Sequence, residues 1–104
     1  MILEEAEAYR LKAEEWAKLD GAARRLEEMK KIVLHEIQQQ SEAKTVAGKE
    51  TAAYASPEYR RHVMEMVKAR TEANICKASL DAMRLSADIW RTKESTKRAE
   101  MGLR

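Results

Sequence analysis

Between Pro57 and Gly102 the chain has neither proline nor glycine, and its apolar residues fall on two separate sevenfold registers. Tyr59, Met66, Ala73, Leu80 and Ala87 form one series of seven, and Ala69, Cys76, Met83 and Trp90 form its companion. Together they make the a/d seam of one long helix over roughly four heptads. Val67, Thr71, Ile75, Ala78, Ala82, Leu85 and Ile89 lie elsewhere. At about 100° per residue, positions 80 and 82 are about 200° apart, so the second seam faces nearly opposite the first. A helix that is apolar on two sides needs two partners.

One partner is in the chain itself. Tyr9, Trp16, Leu19, Ala23, Leu26, Val33 and Ile37 recur at spacings of three, four and seven, which predicts an amphipathic helix over about residues 3–40. Gly21 and Lys30 interrupt it, but a packed face supplies most of a helix's stability. Residues 41–56, with Gly48 and two threonines, read as a connector. Its segments 44–46 and 51–54 suit a short extended hairpin. Ser56, Pro57 and Glu58 then open the second helix, over about 57–101: a hydroxyl to cap it, a proline for its first position and an anion for its positive end. Gly102 is its expected stop.

The expected fold is therefore all-α, a single domain over 1–104. It is an antiparallel two-helix hairpin with a long connector, assembling into a homo-oligomeric ring or bundle. Trp16 beside Trp90, Leu26 beside Leu80 and Val33 beside Ala73 is a pairing that aligns the seams, and it puts both tryptophans in the core. The first helix covers one seam of the second. Another copy of the chain covers the other, through Val67, Thr71, Ile75, Ala78, Ala82, Leu85 and Ile89, since contiguous exposed apolar surface is rare on a monomer. The alternative is that the connector folds back over it.

Charge is the second informative feature. Charged residues make up 37% of the chain and mean hydropathy is -0.67, yet net charge is only +2 and there are just three Gly and one Pro. The remainder is rich in strong helix formers rather than disorder-promoting residues. The charges are unevenly spread: residues 1–42 hold seven cations against ten anions, and residues 57–104 hold eleven against seven. Arg70, Lys77, Arg84, Arg91 and Arg98 follow one another at intervals of seven, each one residue after a seam position. Their line is about 40 Å long. Such a line can track a phosphate backbone, or it can pair with acids of the neighbouring helix, Glu7, Glu14 and Glu28 being candidates. Tyr54, beside Lys44 and Lys49 on the connector, is the aromatic ring expected to be exposed.

Chemistry that would indicate an enzyme is missing. Cys76 is the only cysteine, lies on a seam and reads as a buried small apolar residue. His35 and His62 belong to no recognisable triad. Glu58, His62 and Glu65 share a helical face and read as solvated surface rather than a metal site. There is no phosphate-binding glycine loop and no zinc spacing. The chain is expected to be no enzyme, to need no cofactor, to lack a signal peptide or membrane span and to be cytoplasmic.

The layout resembles the UvsY-type phage recombination mediators over about residues 12–100. The segments that carry the likeness are Lys30-Lys31-Ile32-Val33-Leu34, Lys49-Glu50-Thr51, Ala55-Ser56-Pro57 and Ser79-Leu80-Asp81-Ala82-Met83, in that order. The resemblance implies a small, helical, oligomeric protein of a phage-infected bacterial cell. Such a protein binds single-stranded DNA and helps load a RecA-type recombinase in place of a single-strand-binding protein. Lys30 and Lys31 match the basic pair ahead of the family's DNA-binding segment; His35-Glu36-Ile37 stands where the family continues with basic residues. On this reading the nucleic-acid contacts are Lys30, Lys31, Lys44, Lys49, Tyr54, Arg70, Lys77, Arg84, Arg91 and Arg98. Two other classes remain: a structural helical adaptor or virion component that binds no nucleic acid, and a small secreted hairpin of the WXG type. The connector lacks the Trp-x-Gly of the latter and has Tyr54-Ala55-Ser56-Pro57 instead.

Overall fold

In a computed structural model that describes residues 2–102, the chain is all-helical. Three helices follow in order: α1 (Ile2–Gln40), α2 (Val46–Tyr54) and α3 (Pro57–Gly102). The long helices end within a residue or so of the expected places. The helix α2 departs from expectation. The connector is neither extended nor a hairpin; after a turn at residues 41–45 it becomes helical again. Thr45, in extended conformation, starts α2 by accepting a hydrogen bond from Gly48 N at 2.9 Å. The backbone is crowded here, since a Cβ on Gly48 would lie 2.9 Å from the Thr45 hydroxyl oxygen.

Ser56 joins α2 to α3. Its hydroxyl donates to Ala53 O at 2.7 Å, a carbonyl at the end of α2 that also accepts from Ser56 N, and it accepts from Tyr59 N at 3.1 Å, capping α3. Tyr54 and Tyr59 meet edge to face across this joint, with ring centres 5.2 Å apart.

Residues 2–40 run antiparallel to α3, and the contacts between them fix the register. His62 Nε2 lies 2.7 Å from Leu26 O, and the Cys76 thiol lies 3.8 Å from Lys12 O. Leu26, expected beside Leu80, faces His62 instead, five helical turns or about 27 Å nearer the start of α3. Trp16 lies beneath Lys77 rather than beside Trp90. The cause is α2. It runs back along the last turns of α1 and takes the place α3 was expected to fill, with Ala53 fully buried. The apex of the hairpin is thus the turn at 41–45 rather than the middle of the connector.

The core is a single thin seam. Ala23 and Leu34 of α1 and Ala73, Cys76 and Leu80 of α3 are buried, with Tyr9, Trp16, Leu19, Leu26, Val33 and Ile37 half-buried beside them. His62 is buried as well, so it belongs to the core and not to the solvated face expected for it; its ring N–H supplies an interhelical hydrogen bond. The register brings Ile2 level with about residue 86, so roughly the last 16 residues of α3, about 24 Å, project beyond α1. Every side chain in 84–102 except Glu94 is exposed. The molecule measures 85 × 22 × 15 Å, its length matching α2 and α3 laid end to end. No helix among the described residues is long and apolar enough to cross a membrane.

Candidate nucleic-acid interface

The five cations of the stripe occupy equivalent helical positions but meet different surroundings, and the place where α1 begins decides which. Arg70 is held by α1. Its guanidinium donates to both carboxylate oxygens of Glu27 at 2.9 and 2.8 Å and to Asp20 at 2.7 Å. The hydrogen bonds from Arg70 hold the carboxyls of Asp20 and Glu27 below their ordinary values, and the two acids push Arg70 upward in return. The acids of α1 that pair with the stripe are therefore Asp20 and Glu27, not Glu7, Glu14 or Glu28. Glu7 and Glu14 instead bind Arg10 of their own helix. Lys77 lies over the face of Trp16, 4.9 Å from the ring centre, with Asp81 at 3.4 Å. Arg70 is thus engaged by two acids of α1, while Lys77, less enclosed, keeps 44% of its side chain exposed.

Beyond Met83 no stripe cation is ion-paired to α1 among the described residues. Arg84 and Arg98 are exposed with no carboxylate in ion-pair range among the described residues, and Arg91 touches only Asp88, at 3.6 Å. Where α1 starts, the two helices leave an open groove of about 1010 Å³. Glu5, Ala6 and Tyr9 line it from α1, and Met83, Arg84, Trp90 and Arg91 from α3. Trp90 is 48% exposed. It is not a core residue, as the seam pattern implied, because the helix meant to cover it has already ended. An indole and a phenol ring beside two exposed cations, in a groove open to solvent, can stack on nucleobases while the guanidiniums bind phosphates.

The remaining candidates lie at the other end. Lys44 in the turn is exposed, Lys49 on α2 is half-buried, and Tyr54 is 58% exposed although edged against Tyr59. On α1, Lys31 is exposed and Lys30 half-buried. From Tyr54 to Arg84 is about 45 Å along the helix axis, so the ten residues do not form one site. Sequence spacing misses Trp90 and Tyr9 as groove residues, because heptads identify a seam without saying how far the partner helix reaches along it.

Val67, Thr71, Ile75, Ala78, Ala82, Leu85 and Ile89 all lie on the open face of α3, where Val67, Ile75 and Leu85 are each at least 60% exposed. The connector does not cover them, because α2 packs chiefly on α1. No protein-family model, curated protein or solved structure matches the chain.

Proposed function

We propose that the chain is a self-associating helical protein that binds single-stranded DNA at the free end of α3. It acts by binding, without catalysis or a cofactor. Trp90 carries the reading: a large aromatic ring left out of the core, facing a groove with Tyr9 and the exposed Arg84 and Arg91. Bases stack on the rings, phosphates sit on Arg84, Arg91 and Arg98, and readout of sequence is slight because every base offers a π-face. Lys31, Lys44 and Lys49 form a second basic end that the same strand reaches if it runs along the molecule. The mediator role, assisting a RecA-type recombinase in place of a single-strand-binding protein, rests on the order of segments shared with the UvsY-type proteins.

Anisotropy titration with fluorescent oligo-dT at low and at high salt tests the binding. Trp90→Ala removes one stacking surface, about 1–3 kcal/mol or roughly 5- to 150-fold in affinity. An intact wild-type protein that leaves the oligonucleotide untouched at low salt ends the proposal.

A second reading is favoured by Arg70 and Lys77, whose charges are engaged by α1. Under it the stripe is structural throughout, the protein is a helical adaptor, and Arg84, Arg91 and Arg98 take their carboxylates from a neighbouring protein. Replacing Arg84 and Arg91 by alanine separates the two: loss of DNA affinity with assembly intact supports the first, and loss of assembly supports the second.

A further inference from the structure

The exposed seam of α3 can be read for the partner it fits. It contains two series of seven: Ile75, Ala82 and Ile89, and Thr71, Ala78 and Leu85. All six are exposed. In an antiparallel helix pair the knobs of one series meet the holes beside the other. Laid against a copy of itself, the seam matches in one register. Ile75 meets the partner's Leu85, Ala82 meets the partner's Ala78 and Ile89 meets the partner's Thr71. The two-fold axis then passes at the level of residue 80, large residues flank a pair of alanines on each side of it, and the alanines allow the helices to approach closely.

Two further observations choose this register and this direction. The first is charge. The edge of the seam reads Glu65, Glu72, Ser79, Ser86 and Lys93 at intervals of seven. In the antiparallel register Glu65 faces the partner's Lys93, and the reverse contact repeats it. Asp81, which comes near its own mate, brings Lys77 with it at 3.4 Å. A parallel pairing would instead set Lys68, which occupies a seam position, against the partner's Lys68. The second is length. The part of α3 that α1 leaves bare is about 16 residues, and it lacks the packed face that supplies most of a helix's stability. In the same register residues 87–102 lie beside residues 58–73 of the second copy, a stretch of α3 that α1 backs.

We propose that two copies dock through these faces as an antiparallel pair of α3 helices, giving a flat four-helix layer ordered α1, α3, α3, α1. This deepens the self-association in the proposed function by naming its geometry. It requires no nucleic acid, so its failure is separable from failure of DNA binding. Such a contact is isologous, the same patch on both copies, and it closes at two.

The test uses the full chain in two measurements. Light scattering of the wild type gives the mass, expected at twice the 12.0 kDa chain or an even multiple of it. Spin labels on Ser79→Cys and, separately, Thr96→Cys, each in a Cys76→Ala background, give the direction of pairing. In the antiparallel pair the residue 79 labels are close, and the residue 96 labels are about 48 Å apart by helical rise. Ala78→Arg should convert the protein to monomer with its helix content by circular dichroism unchanged. A wild-type mass of one chain or of an odd number of chains overturns the proposal. So do residue 96 labels in close contact.

Discussion

Arg70 of α3 grips Glu27 of α1 through two parallel hydrogen bonds, and its third arm reaches Asp20. This side chain clamps α3 to α1 in the register that the His62–Leu26 contact shares. It also draws one member of the cationic stripe into the contact between the helices.

Arg70→Ala should lower the melting temperature, and Arg70→Lys should not restore it, because an ammonium group cannot reproduce the planar fork. The effect depends on pH. Asp20 and Glu27 have carboxyls held below their ordinary values of 3.8 and 4.5. Their contribution is thus fully present above those values and is lost as the pH falls through the lowered folded-state values. Thermal melts of wild type and Arg70→Ala between pH 7 and pH 2 should show a gap at neutral pH that closes in acid.

Leu80 and Trp90 belong to the same seam pattern but should respond differently to truncation. Leu80 is 7% exposed between the helices, and Leu80→Ala should cost about 2–5 kcal/mol, a large share of what a hairpin with so thin a core can hold. Trp90→Ala should change stability by roughly 0.5 kcal/mol or less. Urea titration followed by circular dichroism measures both.

The contrast between those two residues shows how far the sequence is legible. Periodicity identifies which faces of α1 and α3 are apolar, and Ser56-Pro57-Glu58 marks the start of α3 to the residue. Neither says how the seams slide. The two series of the seam alternate at spacings of three and four, so Leu26 suits His62, two heptads and four residues before Leu80, as well as Leu80 itself. What decides is the short helix α2, announced only by Thr45 as its cap amid residues of loop-like composition. Once α2 is in place against α1, the overhang of α3, the exposure of Trp90 and the division of the arginine stripe follow from counting residues.

Two glycines should behave differently when replaced by alanine. Gly21 lies inside α1, and a methyl added there would have nothing within 4 Å. Gly21→Ala should stabilise by about 1 kcal/mol from helix propensity alone. At Gly48 the new methyl would sit 2.9 Å from the Thr45 hydroxyl oxygen and 3.3 Å from the Ala43 methyl carbon. Gly48→Ala should therefore displace the cap of α2 and fail to show that gain. Melting temperatures of the two variants decide it.

On the DNA side, the double change Arg84→Ala with Arg91→Ala should leave the melting curve nearly unchanged. It should flatten the slope of log affinity against log salt by about 1.4, two single-strand phosphate contacts at roughly 0.7 each. The same substitution at Arg70 should alter stability and leave that slope alone.

Because α3 outruns α1, Trp90 is 48% exposed, and its own fluorescence is the most direct probe of the stacking role proposed for it. Replacing Trp16 by phenylalanine leaves Trp90 as the only indole. The emission should then be that of a solvent-exposed tryptophan, open to quenching by acrylamide and quenched on addition of oligo-dT at low salt. Blue-shifted emission, shielded from acrylamide and unchanged by oligo-dT, would contradict both the exposure of Trp90 and its part in binding.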